Sequence, residues 1–218
     1  MKKGDFIWTL ALIGIIAFLF WPQTNKIFVN FTTNYAYLAG FIKFIILASM
    51  GDLLAYRIVT NEWKIRNGFL FRAFIWGFLG VIIVLIFKIF GVGVQTAIDT
   101  GALPGSGYTI AFAFFTSAIM NLSFAPTMMA FHRITDTYAD LRFIEKRKNL
   151  KLNHVLDEVD WNNFISFVVI ITIPGFWIPA HTITFLLPSE YRVLMAAFLS
   201  IALGAILSFA KAKNKQRK

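Results

Sequence analysis

Long apolar runs separated by short charged blocks leave this sequence very few folds. Six such runs, 6–21, 35–56, 69–89, 109–131, 164–187 and 191–210, contain almost no ionisable side chains. All but the first are about 20 residues or longer, enough for a helix to cross about 30 Å of hydrocarbon at about 1.5 Å per residue. The first, at about 24 Å by the same rise, suits only the thin limit of a bilayer. Only 15% of the 218 residues are charged and 58% are hydrophobic, whereas a soluble domain carries about 25% charged residues. The expected architecture is an all-α polytopic transmembrane helix bundle of about six helices, a single integral membrane domain over 1–218. Residues 132–160 are expected to form a cytoplasmic amphipathic loop.

The charge pattern orients these spans. With the amino terminus inside, inner connections hold sixteen Lys and Arg: two at the start, three in 57–66, six in 133–151 and five in the tail. Outer connections hold two, Lys26 and Arg192. An alternating bias of this kind places both termini in the cytoplasm. The run MKKGD followed by Phe6–Trp21 has no small-residue cleavage site, so it is expected to remain as a first span. If that span failed to insert, five helices would put the amino terminus outside.

The net charge of +10 is spread over blocks flanking the spans rather than gathered on a soluble surface. Anionic membrane lipid at the basic loop and tail is therefore the expected partner, and nucleic acid is not. Cysteine is absent, which excludes disulfides and thiolate chemistry. A homo-oligomer with a cleft between protomers would read identically at this level.

Polar groups within the runs are the candidate functional residues, because they are expensive in hydrocarbon and usually face protein or a water-filled cavity. Asp52 and Arg72 both fall about 6–8 Å inside the inner face by rise per residue, which predicts an ion pair between the second and third spans. Lys43 and His181 lie about 11–12 Å below the outer face. Asn121 is close to the middle of its span. Lys43, Asn121 and His181 are expected to line one hydrophilic path, or else to make three separate interface hydrogen bonds. Lys88, near a span end, can snorkel.

Small residues suggest close helix contacts: Gly77, Gly80, Gly91 and Gly93 along the third span, and Ala196, Ser200 and Gly204 every four residues in the sixth. His132, Asp136 and Asp140, at i, i+4 and i+8, share a helix face and offer the one metal-like spacing, which a solvated charged face explains equally well. No HExxH, GxSxG or P-loop pattern occurs. An enzyme is not expected, and no catalytic residue, metal or cofactor is assigned.

The stretch Trp177–Arg192, WIPAHTITFLLPSEYR, then brings in a resemblance. The Mpv-seventeen/peroxisomal membrane protein family carries a Trp, a Pro, a Gln four residues after the Trp, an Asn-Phe pair, a Pro and a Tyr-Arg. Here those positions read Trp177, Pro179, His181, Thr184-Phe185, Pro188 and Tyr191-Arg192, followed by Leu207-Ser208 before a basic tail. Gly51-Asp52 and Phe124-Ala125-Pro126 resemble two further motifs, and Gly77-Phe78-Leu79-Gly80 with Lys88 resembles the third helix. The similarity covers roughly residues 37–210, with His181 for Gln, Met120 for Asp, Val81 for Pro, a Pro offset by one from the Trp, an extra amino-terminal span and the charged loop 132–160 as departures. The chain thus resembles a divergent relative, and its Lys/Asn/Ile/Phe-heavy composition suggests a bacterial one.

The resemblance implies a weakly selective pore for small solutes, in the cytoplasmic membrane if bacterial or an organelle membrane if eukaryotic. Lys43 and His181 are then expected to make a cationic outer vestibule, with anion flux rising as His181 protonates. The alternative is a non-transporting scaffold or assembly factor, with those side chains buried in dry interfaces.

Overall fold

In hydrocarbon, backbone amides and carbonyls must pair within their own segment, and the long apolar runs do so as helices. The computed structural model describes the backbone of residues 2–216 and the side chains of residues 2–206. The side chains of Leu207-Ser208 and of the basic tail therefore lie outside the described residues. Among the described residues there is no strand.

Ten helices occur: α1 (Lys3–Phe20), α2 (Pro22–Asn34), α3 (Ala36–Thr60), α4 (Phe69–Asp99), α5 (Thr109–Ser123), α6 (Ala125–Ala139), α7 (Leu152–Asp157), α8 (Trp161–Asn163), α9 (Ile178–Leu186) and α10 (Ser189–Gln216). A π-helical turn, Asp140–Ile144, extends α6, and a π-helical segment, Phe164–Trp177, joins α8 to α9. Five helical stretches are long and apolar enough to cross a membrane, and the bent pair α5–α6 makes a sixth if counted as one span. Such helices are compatible with an integral membrane protein. The 48° bend falls beside Pro126, in the first turn of α6, where proline lacks an N–H and ends the preceding ladder.

Three boundaries differ from the expectation. The third span does not stop at residue 89. Val94 and Ile98, one turn apart on the buried face of Phe87, keep α4 helical to Asp99 and shorten the connection left between the runs 69–89 and 109–131. Within 132–160, expected as an amphipathic loop, helix continues through Ile144, so the connection narrows to 145–160 with the short α7 and its flanks. Within it Arg147 bridges Glu158 (2.7 Å) and Glu145 (2.8 Å), pairing that raises the guanidinium pKa. Finally, the link between the first two spans contains the thirteen-residue α2, opened by Pro22 in its first turn.

The core forms where α3 packs against both α4 and α10, with α5 and α9 closing the far side. Phe44, Leu47 and Ala48 of α3 and Ala196, Ala197 and Ile201 of α10 are buried there. Glycine sets the closest approach. A Cβ on Gly80 would stand 2.4 Å from the Gly40 carbonyl oxygen, and one on Gly51 would stand 3.2 Å from the Ile201 Cα. Only hydrogen at those positions lets the backbones touch, as in membrane helix pairs generally. Gly91 and Gly93 meet nothing closer than 3.9 Å, so the packing role expected of them is not found.

Helix α1 buries none of its residues and is tied down by polar contacts. Trp8 Nε1 donates to the Met50 carbonyl (3.0 Å), and Asp5 accepts from Arg57 Nε (2.8 Å) and Trp63 Nε1 (2.7 Å).

Candidate functional site

Helix α4 is the spine of the site. Its residues line three cavities in turn: Phe69 and Arg72 the first, Trp76, Leu79, Ile83 and Ile86 the second, Lys88, Val92 and Gln95 the third. From Arg72 to Thr96 the helix rises about 36 Å, more than the hydrocarbon thickness of about 30 Å. The cavity around Arg66 has a volume of about 420 Å³, the central one about 300 Å³ and the one around Lys43 about 640 Å³. Neighbouring cavities share walls. Phe87 lines both the central and the Lys43 cavity, and Asp52, His132 and Asp136 line both the central and the Arg66 cavity.

The Lys43 cavity is cationic. Lys43, Lys88 and Arg192 line it against one carboxylate, Glu190. Lys43 is 8% exposed and donates to Thr32 Oγ1 at 2.8 Å, with its ammonium 4.4 Å from the Phe28 ring centre. Both partners belong to α2, an element the apolar pattern does not announce. Arg192 donates to the Leu187 carbonyl just before Pro188 (2.9 Å), its guanidinium lying over Phe112 and Phe185.

Phe87 closes this cavity toward the centre. Its ring meets His181 edge-on at 5.7 Å and Phe185 at 4.8 Å. Beyond it, Asn121 and His181 are buried together: His181 Nδ1 is 3.1 Å from Asn121 Nδ2 and 3.2 Å from Oδ1, so one amide atom can pair with it in either tautomer. Asn121 also donates to the Ser117 carbonyl (2.8 Å), and Ser117 to the Ile178 carbonyl (2.7 Å), fixing α5 against α9. Pro179 stands in the first turn of α9. Trp177 lies beside His181, ring centres 5.2 Å apart, and its buried indole N–H has no acceptor in the wall.

The single path expected for Lys43, Asn121 and His181 therefore divides. Asn121 and His181 share the central cavity, while Lys43 lies across Phe87 from them. The cationic vestibule belongs to Lys43, Lys88 and Arg192 rather than to Lys43 and His181, because α9 turns the imidazole inward onto α5.

The expected Asp52–Arg72 ion pair is not formed. Arg72 pairs instead with Asp136 and with Asp140 (2.7 Å), and Arg66 also holds Asp140 (3.1 Å). The reason is geometric: α6 passes the start of α4 and offers carboxylates one turn apart, matching the guanidinium fork. Asp52 accepts from Trp76 Nε1 at 3.0 Å. Trp76 in turn lies against His132, ring centres 4.2 Å apart. His132, Asp136 and Asp140 thus do not converge, and among the described residues no three such groups could hold a metal. Ala196, Ser200 and Gly204 line the central cavity; Ala196 also belongs to the packed core and Gly204 faces the Gly51 carbonyl, while the tightest contact falls on Gly51 and Ile201.

Trp76, Phe87 and Arg133 were not singled out from the sequence. Aromatic residues in apolar runs carry no positional signal here, and Arg133 reads as one of a basic block.

No family model, curated protein or solved structure matches the chain.

Proposed function

We propose that the chain is an integral membrane protein that provides a passive pathway for small solutes along α4, and that it catalyses no reaction. The observation carrying this reading is the series of three cavities along one helix, each sharing wall residues with the next. In this reading six spans cross the membrane with both termini cytoplasmic, so the Lys43 cavity opens outward and the Arg66 cavity inward. Contacts among Lys2, Asp5, Arg57, Asn61 and Trp63, and among Arg66, Arg72, Asp136 and Asp140, support that arrangement by joining the segments that the charge bias assigns to the inner side.

The scaffold alternative predicts dry interfaces around the intramembrane polar groups. Asn121 and His181 instead border a cavity, which favours the pathway. Three cations at the outer cavity concentrate anions by Coulombic attraction, while Leu79, Ile83, Ile86, Met120 and Met128 make the central wall apolar. Apart from Asp52, Arg133 and Asp136, that wall offers a bare inorganic ion few ligands to replace its hydration, so small organic solutes fit the pathway better.

A divergent membership of the Mpv-seventeen/peroxisomal membrane protein family is part of the proposal. Its support is where the similar residues fall: Asp52 and Trp177 line the central cavity, Phe185 packs on Phe87, and Arg192 lines the outer one. Gly51 sets the α3–α10 contact. The test is efflux of small organic solutes from liposomes containing the purified chain, against empty liposomes. Efflux equal to that of empty liposomes, from protein shown to be folded and inserted, sinks the pathway.

A further inference from the structure

The central cavity is lined by two charges that join no ion pair among the described residues. They are Asp52 on α3 and Arg133 on α6. Arg66 and Arg72, which line the neighbouring cavity together with Asp52, are engaged by Asp140 and Asp136. Asp52 is reached only by the Trp76 indole, at 3.0 Å. Trp76 also lies against His132, the chain neighbour of Arg133, and all four residues line the same cavity. Toward Asn121 and His181 the walls become Leu79, Ile83, Met120 and Phe124.

An unpaired carboxylate and an unpaired guanidinium facing one small apolar chamber are costly unless something answers both. A carboxylate ligand would suit the guanidinium fork but would face Asp52. An amine would suit Asp52 and the Trp76 π-face but would face Arg133. A ligand carrying both groups satisfies both walls. At about 300 Å³ the chamber lies at the lower limit for ligand sites, which range over about 300–1,000 Å³.

We propose that the central cavity binds a small zwitterion with an apolar body, of the neutral amino-acid type, its ammonium on Asp52 and its carboxylate on Arg133. The apolar body then points toward Phe124 and Met120. This goes beyond the pathway reading, since a site can bind without conducting.

The test is titration of the full-length chain in detergent, read by indole fluorescence, because Trp76 and Trp177 line the chamber. Three probes share one body: phenylalanine, 3-phenylpropionate, which lacks the ammonium, and 2-phenylethylamine, which lacks the carboxylate. Phenylalanine is expected to bind saturably and at least about tenfold tighter than either, since each fragment leaves one half-buried charge unanswered. Asp52→Asn should erase the preference over 3-phenylpropionate while still binding that probe, which shows that the variant is folded. Arg133→Gln should erase the preference over 2-phenylethylamine, and Arg133→Lys should restore part of it.

Equal affinity for the three probes, no saturation by phenylalanine, or variants that keep full discrimination would each overturn the site. Liposome efflux separates the two ideas. Saturable binding without efflux removes the pathway and leaves the site, and efflux without binding does the reverse.

Discussion

Phe87 is the ring that separates the Lys43 cavity from the central cavity, so Phe87→Ala is the sharpest perturbation of the proposed pathway. The phenyl group is 7% exposed and rests on two rings, His181 at 5.7 Å and Phe185 at 4.8 Å. Aromatic pairs are worth about 0.5–1.5 kcal/mol each beyond their buried area. Swinging Phe87 aside therefore costs about 1–3 kcal/mol, and with about 1.4 kcal/mol per tenfold in rate, its removal should speed passage about 5- to 150-fold. The same truncation destabilises the fold by about 3–5 kcal/mol if the space does not collapse, so Phe87→Leu serves as a milder partner with an intermediate effect. The assay is stopped-flow efflux of a small organic solute from liposomes, with the unfolding midpoint measured in detergent on the same samples. If both variants are folded and efflux matches wild type, Phe87 is not the barrier.

Three further predictions test the surrounding geometry. Asn121→Leu strips His181 Nδ1 of its partner inside the bundle and should cost about 1–3 kcal/mol; thermal unfolding in detergent reads it, and an unchanged midpoint would mean that the pair at 3.1 Å contributes nothing. Gly80→Ala and Gly93→Ala should diverge although both lie in α4. The first drives a methyl to 2.4 Å from the Gly40 carbonyl and should cost about 1–3 kcal/mol, whereas the second meets no atom within 4 Å and should gain up to about 1 kcal/mol of helix propensity. Equal effects would refute the α3–α4 crossing. Lys43→Met removes one of the three cations lining its cavity and should lower entry of organic anions at low salt, with the difference vanishing near 1 M salt, where the screening length is about 3 Å. A salt-independent difference would argue against attraction at a distance.

Much of the architecture could be read without coordinates, because hydrocarbon-length apolar runs admit few alternatives once backbone pairing is required. Individual polar residues were also readable as candidates, since Asp52, Asn121 and His181 stand out against their apolar neighbours. Their partnerships were not. Asp52 and Arg72 lie at matched depth on adjacent spans, yet depth fixes one coordinate only, and rotation about each helix axis decided that Arg72 faces α6 while Asp52 faces Trp76. Lys43 illustrates the same limit: its partner Thr32 sits on α2, a polar thirteen-residue helix that leaves no hydropathy signal.

The sequence by itself determined that this chain forms long apolar helices, where they begin within a few residues, and which side chains would be costly to bury unpaired. Those properties follow from composition and periodicity along one dimension. Only the tertiary structure decided that Asn121 meets His181, that Phe87 stands between two cavities, and that Asp52 and Arg133 share one chamber without pairing. Such pairings depend on how helices rotate and cross, and those angles are set by packing at points such as Gly40–Gly80 and Gly51–Ile201, which no single segment encodes alone.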